Sequence, residues 1–193
     1  MVAQLLFQMT GGSSILTSPH QLRFEVVEKK TAAMAYSKWH YFGDKGFLAS
    51  VNFGVFFEGR LVGAISYGIP NAPKMKGLFD MKSQKYFLEL TRLALSEECP
   101  KNSESRTIAI TIKLLRKLRP DIKGIITYAD TKQGHTGVIY KASGFDYRGL
   151  TAQKTDLFVN GKAVGKLKGV KYSEIKDGEW VKRSRKHLFV KLF

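Results

Sequence analysis

The chain has 193 residues, 44% of them hydrophobic, which suits one domain with a real core and excludes wholesale disorder. It carries 32 Lys and Arg against 16 Asp and Glu, a formal net charge of +16, and such a surface attracts polyanions, phosphate backbones first among them. The single cysteine, Cys99, excludes an intrachain disulfide and a multi-cysteine zinc site; no leader-like or membrane-length apolar run is evident, so the expected compartment is the cytoplasm and no membrane partner is expected.

In chain order, residues 10–19 read as a loop and 21–28 as a strand. Lys29 to Tyr41 is alanine-rich and reads as a helix ended by Gly43. Ser50 to Gly68 is a hairpin, two β-rich runs about the pair Glu58-Gly59. Ile69 to Gly77 is a loop. Lys85 to Leu95 is a mostly apolar strand, expected at the centre of a sheet. Arg106 to Pro120 is a helix stopped by proline, with Ile108, Ile112 and Leu115 on one face and Lys113, Arg116 and Lys117 on the other. Ile122 to Asp130 is a buried-type strand, Gly137 to Phe145 a short helix, and Asp146 begins another strand. The remainder holds a hairpin about Asn160-Gly161 and a basic tail. This order predicts an α/β (α+β) fold, a mixed sheet flanked by helices. Residues 1–20 form an N-terminal segment, 21–155 the main domain, and 156–193 a basic C-terminal extension packed on or beside it.

The order, with "YKASGF" (Tyr140 to Phe145) after a buried strand, resembles the GNAT acyltransferase fold. The resemblance implies a donor site built by the hairpin, the central strand and the next helix, with Tyr140 as general acid at the donor's leaving group. The donor loop "CPKNSESR" (Cys99 to Arg106) lacks the glycines of that family. Ser103 or Ser105 is expected to cap the helix, and Arg106 to add charge for an anionic donor. Four blocks narrow the match: "WHY" (Trp39 to Tyr41), "LELTRLAL" (Leu88 to Leu95), "SESR" (Ser103 to Arg106) and "YADTKQGHTGVIYKASGF" (Tyr128 to Phe145). Together they resemble the Mom family of bacteriophage DNA-modification proteins, over residues 31–151. That resemblance implies an enzyme, a transferase adding a carbamoylmethyl (acetamido-type) group to the exocyclic amine of adenine in DNA, which shields phage DNA from restriction.

Such chemistry needs an activated donor, a proton acceptor, charge stabilisation, and a base taken out of the stack. Asp130, at the end of a strand, is the candidate acceptor; its plain alternative is an Asx turn. Arg92, within an apolar run, needs an anionic partner such as Asp130, Glu89 or the donor. His40 titrates near neutrality and Tyr41 is its stacking or hydrogen-bonding neighbour. His135 is a candidate phosphate contact or an exposed loop residue. The tail residues Lys182, Arg183, Arg185, Lys186 and His187 are candidate DNA contacts, with a lysine-guarded edge strand as the alternative. The resemblance leaves the donor open between an acyl-CoA and an aminoacyl-tRNA. It also raises iron, with His40 and Asp130 as ligands, although the four histidines form no paired motif. The rival readings are an acetyl-CoA-dependent N-acetyltransferase and a non-catalytic DNA-binding protein.

Overall fold

The computed structural model describes residues 14–70, 84–164, 175 and 177–193. The expected N-terminal segment and the loop after Ile69 therefore lie largely outside the described residues. Among those described, no helix is long and apolar enough to cross a membrane.

The main sheet has seven strands: β1 (Arg23–Val26), β2 (Val51–Phe57), β3 (Arg60–Gly68), β4 (Phe87–Leu95), β5 (Gly124–Asp130), β6 (Asp146–Leu150) and β10 (Lys186–Leu192). Their order is β1-β2-β3-β4-β5-β10-β6. Every pair is antiparallel except β4–β5. The expected central strand is thus central, and its neighbour on one side is parallel to it. The hairpins turn where glycine permits positive φ. Glu58 and Gly59 take φ 47° and 77°, and Asn160 and Gly161 take 49° and 71°, the primed-turn geometry that follows strand twist.

Two helices cover opposite faces. Helix α1 (Lys29–Trp39) buries Ala32, Ala35 and Tyr36 against Ala64 and Ala94. Helix α2 (Ser103–Leu118) buries Ile108, Ile112 and Leu115 against Phe53, Ile65, Tyr67, Leu88 and Leu90. A short helix α3 (Val138–Ala142) follows β5 and buries Tyr140. The alternation of Ala64 and Ile65 along β3 fixes which helix each face meets.

β4 breaks that alternation. Ser66 pairs with Arg92, but the next residue, Tyr67, pairs with Leu90, so Thr91 is an extra residue. This bulge puts Leu88 and Leu90 on the α2 face and sends Arg92 and Ala94 to the α1 face. At the same point β4 parts from β5. Their parallel pairing ends at Leu90 and Thr127, and the last residues of β5 pair only with β10.

The C-terminal region overturns only the edge-strand alternative for the tail. Strands β7 (Thr155–Val159), β8 (Lys162–Ala163) and β9 (Gly178–Lys182) form a separate small sheet in the order β8-β7-β9. The chain then returns as β10, which lies between β5 and β6 and is not an edge strand. Phe189 and Val190 are fully buried there. Those two apolar residues, not the basic ones around them, decide where the segment goes. The described residues of 156–193 therefore comprise a small sheet and a core strand.

Candidate active site

Arg92 organises one wall of the site. Its Nη1 donates to Gly43 O and its Nη2 to Lys45 O at 3.2 Å. The guanidinium lies 5.5 Å from the Tyr36 ring centroid and 5.4 Å from that of Phe47. These contacts go to loop carbonyls and ring faces rather than to Asp130, and its buried Nε has no hydrogen-bond partner among the described residues. Burial lowers its pKa, but an arginine so placed stays charged. Beneath it, Tyr36 Oη lies 2.6 Å from Ser66 Oγ, and Ser66 Oγ donates to Asn52 Oδ1 at 2.6 Å. This buried polar chain fixes the end of α1, from which the loop of residues 40–47 departs.

His40 is the C-cap of α1, which ends at Trp39, before the glycine expected to stop it. Its Nδ1 accepts the Phe42 N–H at 3.1 Å. A neutral ring bonded in this way carries its proton on Nε2. Burial, then the nearby charges of Arg92 and His135, push its pKa down to about 4 from 6.5. His40 is therefore neutral at pH 7 and presents an N–H donor.

Tyr41 joins the parts. Its ring stacks on His40 at 4.4 Å and meets His135 edge-on at 5.8 Å. Burial and the Asp130 carboxylate raise its pKa, and Arg92 opposes them. His40, Tyr41, Arg92, Asp130 and His135 thus share one neighbourhood. Tyr140, buried at the start of α3, completes it. Burial raises its pKa against a hydrogen bond to Thr127, and Tyr41 adds to the rise.

Asp130 is buried at the end of β5. Its Oδ1 accepts the Lys132 N–H at 3.0 Å, the Asx turn offered as its plain alternative. Its Oδ2 lies 3.6 Å from Lys186 Nζ. Burial pushes its pKa up, but bonds from Ser184 and the Lys132 N–H and the charge of Lys186 outweigh that, and the net direction is down. The turn uses Oδ1, and Oδ2 faces Lys186, so a role for this carboxylate at the site requires Lys186 to give way.

The glycines of the following loop have conformational and packing reasons. Gly134 has φ 69° with open space where a Cβ would go. Gly137 has φ 76°, and a Cβ would stand 2.2 Å from the Phe189 ring. The loop is shaped by left-handed backbone and by β10.

At α2 the expected serine caps are absent. Ser103 Oγ donates to Pro100 O at 2.6 Å and Ser105 Oγ to Asn102 O at 3.1 Å. The N-cap is Asn102, left-handed at φ 73°, with no side-chain cap bond. The buried Nε of Arg106 has no partner within the protein. An uncapped helix start beside an arginine is able to receive an anion.

The basic C-terminal residues are tied down. Arg183 pairs with Asp156, Arg185 Nε donates to Thr151 O at 2.8 Å, and His187 Nδ1 lies 2.9 Å from Tyr147 Oη. Lys186 faces Asp130, and Lys182 stands exposed on β9. For iron, the fit is poor. His40 Nδ1 and both Asp130 oxygens are engaged, and no three His, Cys, Asp or Glu converge among the described residues. Sequence reasoning missed Phe42, Ser184 and Thr127. Only Phe42 carried a signal, as the next aromatic after Trp39 and Tyr41.

The model of the Mom protein family matches residues 21–189, spanning every part of this site. The chain belongs to the Mom family. A curated relative, "Methylcarbamoylase mom" of Escherichia phage Mu, is 32% identical over 133 residues, 67% of this chain. The chain spans about half of that relative's length, 54%. Solved structures share the Mom chain's architecture at low identity. A Bacillus subtilis acetyltransferase in complex with CoA gives a TM-score of 0.54 at 13% identity, covering 89% of this chain and 99% of that one. A GNAT-family acetyltransferase from Streptococcus pneumoniae gives 0.52 at 11%, covering 89% and 99%. An aminoglycoside acetyltransferase in complex with coenzyme A gives 0.52 at 12%, covering 89% and 94%. The fold is that of the GNAT acyltransferases, and this Mom chain carries a small sheet between β6 and β10.

Proposed function

We propose that this chain modifies adenine in DNA, transferring a carbamoylmethyl group from an activated donor to the exocyclic amine. Family membership and the methylcarbamoylase relative support the reaction class. The observation that carries it onto these residues is Tyr41, which touches His40 and His135 and feels both Arg92 and Asp130. The net charge of +16 suits a polyanionic substrate.

In the reaction, the amine nitrogen bonds to the methylene carbon of the carbamoylmethyl group and the bond from that carbon to the leaving group breaks. Attack at the carbonyl of an acyl-CoA or aminoacyl-tRNA gives an amide first, which still has to rearrange to this product. Asp130, anionic at neutral pH, accepts the proton lost by nitrogen. Tyr140 holds its proton strongly and hands it to the leaving group, and solvent resets the pair. The Nε2–H of neutral His40 is a donor for charge developing on the substrate. Arg92 is a positioning residue, acting through the loop it holds. Ser103, Ser105 and Arg106 lie at the donor end, and an acyl-CoA and an aminoacyl-tRNA both bring phosphates there. Lys182 and, after local exchange of partners, Arg183, Arg185, Lys186 and His187 contact the DNA backbone. No step is routed through iron.

The test is to express the protein in bacteria, digest the DNA to nucleosides and run mass spectrometry. A mass gain on deoxyadenosine, lost in Asp130→Ala and Arg92→Ala, is expected. Unmodified adenine from cells making the folded protein overturns the reading. Saturable acetyl-CoA binding in that case supports an N-acetyltransferase.

A further inference from the structure

The chemistry above uses the backbone of Phe42 but not its ring. Phe42 is 56% exposed and Tyr41 51% exposed, an unusual placement for neighbouring large rings. Their centroids are 4.4 Å apart, Tyr41 is 4.4 Å from His40, and His40 is 6.1 Å from Phe42. Legs of 4.4 Å and a third side of 6.1 Å make nearly a right angle at Tyr41. One arm of that corner leads to His40 and the other outward to Phe42.

The corner is rigid. Arg92 holds Gly43 O and Lys45 O, the Gly43 N–H donates to His40 O at 2.7 Å, and the Phe42 N–H is fixed on His40. The ordering cost of presenting two rings is therefore met before any partner arrives. Lys38 and Lys45, both exposed, flank the rings in sequence. A partner that offers flat apolar faces between negative charges is a nucleic acid. Extruding a base leaves a gap in the duplex about 3.4 Å high, the thickness of one aromatic ring.

We infer that Phe42 inserts into the DNA duplex at the place the extruded adenine leaves, with Tyr41 turning the corner between the stack and the site. The identity of the extruded base rests on the adenine-modifying reading; the insertion does not. The ring lowers the cost of keeping the duplex open, and it makes Phe42 a determinant of action on double-stranded rather than single-stranded DNA.

The test compares two duplexes of one sequence, intact and with a tetrahydrofuran abasic analogue opposite thymine. The abasic duplex has its gap already open, so the wild type is expected to bind it about tenfold more tightly, within the range of one base–aromatic stack. Phe42→Ala, which keeps the N–H to His40, is expected to lose that preference while its salt dependence stays unchanged, because the phosphate contacts remain. Phe42→Trp is expected to restore it. Equal binding of both duplexes by the wild type, or a preference that survives in Phe42→Ala, overturns the inference. Failure of the adenine reading shows elsewhere, as unmodified nucleosides with the abasic preference intact.

Discussion

His40 gives the site a pH signature. The unfolded chain takes up a proton on this imidazole near pH 6.5, whereas the folded protein does so near 4. Between these values the unfolded state binds the extra proton, so stability is full above 6.5 and is lost as pH falls toward 4. The displacement sets a ceiling of about 3 kcal/mol. The ring is only half-buried and solvent screens it, which brings the expected loss to about 1–2 kcal/mol. Protonation also turns Nδ1 into a donor facing the Phe42 N–H, so the bond there is lost. Urea unfolding at pH 7.5 and 4.5, on wild type and His40→Gln, isolates the contribution, since the other titrating groups are common to both. The stability difference between the proteins should shrink by about 1–2 kcal/mol at the lower pH. A difference that stays constant, or an imidazole midpoint near 6.5 by NMR, refutes the reasoning.

Two further perturbations probe the frame. Arg92→Ala removes two charge-assisted bonds to loop carbonyls, and a loss of about 3 kcal/mol is expected, with faster amide exchange at residues 42–46. Arg92→Lys should fall between, because one ammonium does not reproduce the fork; unchanged loop protection in Arg92→Ala would count against the role. Gly137→Ala meets both a φ of 76° and the Phe189 ring 2.2 Å from its Cβ, whereas Gly134→Ala meets only a φ of 69°. The Gly134 change should cost about 1 kcal/mol and the Gly137 change clearly more, read as urea midpoints; equal costs refute the packing account.

What the sequence made legible was local. Glu58-Gly59 and Asn160-Gly161 mark their turns because a two-residue reversal needs positive φ at both places. The α2 face was readable from its period, since Ile108, Ile112 and Leu115 fall together. The bulge at Thr91 was not readable. The run Phe87–Leu95 is mostly apolar with no regular alternation to follow, and the face taken by Arg92 depends on β3 offering one residue fewer. The serine hydroxyls at α2 turned back to carbonyls and the N-cap fell to a left-handed Asn102, which no spacing announces. β10 was hidden by its charges. The convergence of His40, Tyr41 and Asp130 joins segments about 90 residues apart, so family resemblance, not residue pattern, pointed to it.

The charge states at the site also constrain when the proton moves. Asp130 is held below the ordinary carboxylate value by Ser184, the Lys132 N–H and Lys186, so it is a weak base. An adenine amine does not yield a proton to a weak base at the outset. Once nitrogen has begun to bond to the donor carbon it becomes cationic and acidic, and then Asp130 suffices. Deprotonation is late, and the donor's reactivity carries the barrier. Across neutral pH, Asp130 stays anionic, His40 stays neutral and Tyr140 stays protonated. The modification rate measured on duplex DNA should therefore be flat from about pH 5.5 to 8.5. A limb within that range would transfer the proton-accepting role from Asp130 to another group.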